Sequence, residues 1–150
     1  MNNPELTIYR RRLPHWRLEG STYFVTYRLH RNQTLLAPKE KDLIKSVLFH
    51  FNEKRYTIYA WVIMDDHVHV LFDLKESQNV QTIVHSWKSY SAKELRKRFK
   101  RKAPIWQVEY FDRIIRHEAE FLEKGNYILN NPRKRWSEIE DYRWVGLGEE

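Results

Sequence analysis

The chain has 150 residues, a net charge of +7 and no cysteine, which excludes disulfide frameworks, thiolate zinc sites, iron–sulfur clusters and cysteine nucleophiles. Hydrophobic residues at 41% and aromatics at 15% give enough apolar surface for one compact domain over residues 1–150, with a basic arm over about 1–20 and a tail over about 133–150. The longest apolar run, residues 59–64, is far too short to span a bilayer, and residues 1–12 lack the apolar centre of a signal peptide. A cytoplasmic location is expected, beside the nucleoid if the partner is DNA, with no membrane contact.

In chain order, the run Tyr23-Phe24-Val25-Thr26-Tyr27 predicts a first strand. Pro38 suits a helix start, and Leu43, Ile44, Val47, Leu48 and Phe51 recur at the three- and four-residue spacing of an amphipathic helix. Residues 55–64 and 67–74 read as two strands joined by the polar break Asp65-Asp66, an antiparallel hairpin. A second helix is predicted over 79–101, with Val80, Ile83, Val84, Trp87 and Leu95 on its apolar side and Pro104 closing it. A fourth strand is expected over 108–115. A third helix follows over 117–130, stopped by Pro132, and then spaced aromatics from 136 to 144 that pack back on the body. The first six elements match a ferredoxin-like βαββαβ order, so the fold class is α+β: an antiparallel sheet with helices on one face, plus an added C-terminal helix.

The basic residues cluster. Arg10, Arg11 and Arg12 stand together, seven Lys or Arg fill positions 93–102, and Arg133, Lys134 and Arg135 follow near the end. Trp16, Trp87, Trp106 and Trp136 lie close by in sequence, a pattern that suits phosphate contacts beside stacking rings. The candidate DNA contacts are Arg10, Arg11, Arg12, Arg96, Lys97, Arg98, Lys100, Arg101 and Lys102. A solvated helix end with its cations at the C-terminal dipole explains 93–102 equally well.

Two further features point to chemistry. His67 and His69 stand two apart on a predicted strand and so share a face, whereas Val68, Val70 and Phe72 face the other way. Two imidazoles on one rigid strand are half of a metal site; otherwise they are polar residues on an exposed face. On the third helix, Phe121, Leu122, Gly125, Ile128 and Leu129 form one stripe, and Tyr127 falls nearly opposite. Asn131 shares its face if the last turn stays helical. The pair suits a nucleophile beside a ligand, or else a surface tyrosine and a helix-stopping amide.

The stretches MDDHVHVLF, WQVEYFDRIIR and YILNNP, with RRLPHWRLEGSTYFVTYRL near the start, resemble the REP-associated tyrosine transposases. These are relatives of the single-tyrosine insertion-sequence transposases with a His-hydrophobic-His site. The resemblance covers roughly residues 10–144. It implies that His67 and His69 are metal ligands, Tyr127 the nucleophile and Asn131 the polar ligand a turn beyond it. It also implies Mg²⁺ or Mn²⁺ as cofactor, single-stranded or hairpin DNA as partner, and a 5′-phosphotyrosine with a free 3′-hydroxyl as product. Asp65-Asp66 departs from the Pro-Asn or Pro-Asp common in the group, and Asp66 is either a hydrogen-bond partner of an imidazole or simply part of the turn. A monomer and a homodimer both fit.

Three rival expectations stand beside this one. Tyr90 is an alternative nucleophile with Glu94 as a carboxylate four residues on, although its place three after Trp87 reads better as core. A metal-dependent nuclease using water would need no tyrosine. A non-catalytic single-strand-binding module would display aromatics such as Tyr59 and Trp61 on its central strands.

Overall fold

A computed structural model describes residues 21–148, so Arg10, Arg11, Arg12 and Trp16 lie outside the described residues. The elements are β1 (Thr22–Arg28), α1 (Pro38–Phe49), β2 (Tyr56–Ile63), β3 (His67–Leu74), α2 (Val80–Phe99), β4 (Phe111–Ile114), α3 (Glu118–Arg135) and β5 (Val145–Leu147). The strands form one antiparallel sheet in the order β4-β1-β3-β2-β5. The first six elements are the expected ferredoxin-like α+β arrangement, with α3 and β5 added.

Helices cover both faces of this sheet, which is why its strands carry few polar residues. Val25, Tyr27, Val68, Val70 and Phe72 pack with Ile44, Leu48, Ile83 and Trp87 of α1 and α2. On the opposite face Phe24, Val62 and Leu71 meet Phe121 and Ile128 of α3. The buried polar atoms of the larger core find partners: the Trp87 indole donates to the Tyr56 hydroxyl at 3.0 Å, and Tyr56 donates to the Leu48 carbonyl at 2.6 Å. In β2 a register shift between Ile58 and Ala60 leaves Tyr59 as an extra residue. Ile58 and Trp61 therefore face the same core despite their odd spacing.

The helix ends follow local chemistry. Pro38 opens α1, and the Glu40 carboxylate accepts from the Ala37 N–H at 2.9 Å. Asn79 caps α2 by accepting from the Thr82 N–H at 2.8 Å, and α2 ends at Lys100 in the left-handed conformation, before Pro104. The third helix runs through Pro132 to Arg135 rather than stopping at 130. Proline removes only its own N–H from the ladder, Pro132 is buried, and Trp136 N–H bonds its carbonyl at 2.8 Å. Asn131 therefore stays helical, one turn beyond Tyr127.

Several sequence expectations need correcting. The fourth strand is only Phe111–Ile114, and Val108 is 92% exposed. The tail does pack back, but as β5 on the edge of β2, with the Tyr142 hydroxyl donating to Ile63 O at 2.6 Å. Gly148 closes this edge: a Cβ there would lie 1.4 Å from the Ile58 carbonyl oxygen. Trp87 and Trp106 are buried, not stacking platforms, and Trp61 is core with its indole donating to Leu147 O at 3.1 Å.

Arg101, expected among the DNA contacts, is engaged within the fold instead of facing solvent. Its side chain is 8% exposed, pairs with the Glu40 carboxylate, and donates to Gln33 Oε1 at 3.0 Å, Thr34 O at 2.9 Å and Leu35 O at 3.1 Å. Removing one partner strands a buried charge, which costs about 3–5 kcal/mol. Arg101→Ala is expected to lower unfolding free energy by about that amount in a denaturant titration, with unchanged DNA affinity for the fraction still folded. By contrast Arg96, Lys97, Arg98, Lys100 and Lys102 are exposed, with Arg98 pairing to Glu94 at 2.8 Å.

Candidate active site

The face of the sheet under α3 carries the two histidines. On β3, His67, His69 and Leu71 alternate with Val68, Val70 and Phe72, so the core on the α1–α2 side forces the imidazoles toward α3. Their ring centroids are 4.7 Å apart. Each ring is held by its Nδ1: Asp66 Oδ1 lies 2.6 Å from that of His67, and Thr26 Oγ1 lies 2.7 Å from that of His69. A carboxylate only accepts, so the His67 Nδ1 donates to Asp66, and this contact orients the ring. This gives Asp66 a role beyond the turn.

His69 is 2% exposed, and its Nε2 has no hydrogen-bond partner. A polar atom buried without a partner costs free energy that a ligand would recover. Burial, then the neighbouring His67 and Arg28, push the His69 imidazole down to about 3, so it stays neutral and its lone pair stays available. Two imidazoles side by side, one of them with a buried Nε2 that has no partner, therefore form a donor set that fits a cation. Among the described residues no three His, Cys, Asp or Glu gather at one point.

The depressed value makes stability pH-dependent with a defined sign. Between about 6.5 and 3 the unfolded chain binds a proton at this position and the folded chain does not. The stabilisation is therefore complete above about 6.5 and falls as the pH drops, by about 1.4 kcal/mol per unit within that window. In EDTA, taking the wild type from pH 7 to pH 5 is expected to cost about 2 kcal/mol more in urea unfolding than the same step costs His69→Asn.

Tyr127 meets this pair from α3. Its ring is 5.2 Å from that of His69 and 6.0 Å from that of Phe24, edge-on to both. It is 41% exposed, so a phenol packed beside a buried imidazole still opens to solvent. Lys134, seven residues on, holds its ammonium 5.6 Å from the Tyr127 ring, and Lys124, three before, holds its own 5.3 Å from Phe24. An open cavity of about 640 Å³ begins here, lined by His69, Tyr127, Phe24, Arg28, Lys124 and the segment 107–111 without Val108. Asn131 is buried on α3 and lines no part of this cavity.

Tyr90 is elsewhere. It is 58% exposed, not the core residue expected, because the buried side of α2 turns from Trp87 to Ser91 and bypasses it. It does not line the histidine cavity, and Glu94 is buried and paired with Arg98. Sequence reading missed Thr26, Lys124 and the 107–111 segment as parts of the site, and named Lys134 only within a basic cluster. Only the fold brings these toward His69 and Tyr127, although Lys124 and Lys134 stand at i−3 and i+7 from Tyr127 in the sequence.

A family model for IS200-like transposases matches residues 20–131. The REP-associated tyrosine transposase of Escherichia coli K12 is 25% identical over 133 residues, covering 86% of this chain and 74% of that protein. In structure, a REP-associated tyrosine transposase bound to a REP hairpin superposes with a TM-score of 0.72 at 20% identity, over 88% of this chain and 79% of the other. A protein of Deinococcus radiodurans R1, proposed to be a transposase, shares the fold at a TM-score of 0.57 and 19% identity, over 78% of this chain and 95% of that one. Among the described residues no helix is long and apolar enough to cross a membrane. With three quarters of its length matched by the family model, this chain belongs to the IS200-like transposases.

Proposed function

We propose that the chain is a metal-dependent endonuclease and strand transferase for single-stranded DNA, acting beside a hairpin of the REP type and working through a 5′-phosphotyrosine on Tyr127. The observation that carries this reading is the Tyr127 ring 5.2 Å from His69, a buried imidazole whose Nε2 has no partner. His67 and His69 through Nε2, and Asn131 through its amide oxygen, would hold Mg²⁺ or Mn²⁺. When bound, such a cation offsets the charge on the nonbridging oxygens of the scissile phosphate.

The chain's own groups do the rest. Asp66 and Thr26 fix the two imidazoles through Nδ1, so no reorientation is needed on loading. The exposed edge of Tyr127 admits a DNA strand, and Lys134 sets positive charge beside the phenol. The phenol oxygen attacks phosphorus and gives its proton to solvent. The bond from phosphorus to the 3′-oxygen breaks, and that oxygen leaves with the electron pair and takes up a proton. One phosphoester replaces another at little cost, so the 3′-hydroxyl of a second strand can reverse the step and be joined. Water attack would forfeit that exchange. The His69–Tyr127 contact lies within one chain, which supports a site complete in a monomer. Arg96, Lys97, Arg98, Lys100 and Lys102 are exposed cations suited to tracking the backbone.

The test is a hairpin oligonucleotide with a single-stranded flank, labelled at either end and incubated with Mn²⁺. On a denaturing gel the 3′-labelled fragment should migrate with the protein and the 5′-labelled fragment should run free. Two free fragments would mean hydrolysis and defeat the proposal.

A further inference from the structure

We infer that the cavity wall formed by residues 107–111 is a pocket for one unpaired nucleobase bearing an exocyclic amino group, next to the phosphate that Tyr127 attacks. This rests on the proposed reading that single-stranded DNA enters the cavity, and it specifies what is read there.

Three observations carry it. First, the described residues expose five large hydrophobic side chains, and three gather here. Phe111, 54% exposed, and Tyr127 line the cavity, and Val108, 92% exposed, stands between the lining residues Gln107 and Glu109. Apolar surface concentrated at the mouth of a cavity marks a contact site, and a base offers every such ring a π-face. Phe111 sits edge-on to Phe24 at 6.3 Å, and Phe24 is in turn edge-on to Tyr127. The three rings thus form one continuous wall from the nucleophile outward.

Second, the segment is held although only Phe111 belongs to a strand. Lys88 Nζ donates to the carbonyls of Gln107 at 2.7 Å and Val108 at 2.9 Å. Gln107 donates from its backbone to Arg28 O at 2.9 Å and from its side chain to Leu29 O at 3.1 Å. These four bonds fix residues 107 and 108, and the pairing of Phe111 with Thr26 in β4 fixes the other end, so the exposed side chains Val108 and Phe111 stand on an anchored backbone, which lowers the entropy lost on binding.

Third, the charges are divided. Arg28 and Lys124 line the cavity and suit phosphates, whereas Glu109 is the one carboxylate among the lining residues. Among the described residues it makes no ion pair within 4.0 Å. A carboxylate repels a phosphate, but it accepts hydrogen bonds from the exocyclic amines of cytosine and adenine, which thymine lacks.

The experiment measures binding alone. Fluorescent hairpin oligonucleotides carrying oligo-dC, oligo-dA or oligo-dT flanks, and one without a flank, are titrated with the full chain in EDTA and followed by anisotropy. The wild type should bind the dC and dA flanks about five-fold more tightly than dT. Glu109→Gln should bring that ratio close to one, because an amide both donates and accepts. Phe111→Ala should weaken binding to every flank about ten-fold and leave the flankless hairpin unchanged. Phe111→Leu, which keeps apolar bulk for folding, should weaken binding likewise, whereas Phe111→Tyr should retain it. Equal wild-type affinity for the three flanks, or flank affinity undiminished in Phe111→Leu, would overturn the pocket. No readout here requires cleavage, so the absence of a covalent adduct in Mn²⁺ would sink the Tyr127 chemistry and leave these ratios standing.

Discussion

Tyr127→Phe should form no covalent DNA adduct and should cleave hairpin-bearing single strands at least about a thousand-fold more slowly than the wild type, as expected when a nucleophile is removed. The substitution deletes one oxygen and keeps the ring, so the edge contacts to His69 and Phe24 survive and folding should be unaffected. DNA binding should remain close to that of the wild type, which separates a lost nucleophile from a lost surface. Tyr90→Phe, on an exposed face of α2 away from the cavity, should retain full adduct formation. Loss at 90 with survival at 127 would transfer the role.

The second large effect belongs to His69. Without its imidazole the orphaned Nε2 is gone, and on the proposed reading His69→Ala should lose the transition-state stabilisation that a bound cation would supply. Several kcal/mol of that kind corresponds to a hundred-fold or larger fall in cleavage, on the order of 10²–10⁴. A readout independent of activity is available. Mn²⁺ at about a hundred times its Kd should stabilise the wild type by about 2.7 kcal/mol, which is about 5–10 °C in melting temperature for a chain of this size. His69→Ala should show no such shift. A wild-type melting temperature indifferent to Mn²⁺ and Mg²⁺ would refute the metal assignment even if the variant were inactive.

The order of elements was legible because it rests on strong local signals. The alternation of His67 to Phe72 fixed which side chains share a face, and the three- and four-residue spacing in α1 and α2 gave their buried sides. What escaped had a non-local cause. The extra residue Tyr59 reverses the alternation within β2, and only the pairing with β3 reveals it. A strand of three residues, Val145–Leu147, has too short a period to read. Pro132 signalled a helix end, yet packing carried α3 onward. Arg101 looked like its basic neighbours; only the fold brings Glu40 and the carbonyls of Thr34 and Leu35 around it.

The candidate site divides the same way. His67 and His69 could be paired from spacing alone, and Tyr127 stood out because it lay off the apolar stripe of its helix. The hydroxyl of Thr26 at His69 depends on the register Thr26↔His69 between β1 and β3, which no spacing within either strand encodes. Residues 108–111 of the cavity wall were read as the start of a strand, whereas pairing with β1 begins only at Phe111.

The most direct measurement is peptide mapping of the protein after reaction with a hairpin oligonucleotide in Mn²⁺, nuclease trimming and proteolysis. A nucleotide attached through its 5′-phosphate to the peptide containing Tyr127 is the expected result. Cleaved DNA with that peptide unmodified, or with the nucleotide on Tyr90, would contradict it.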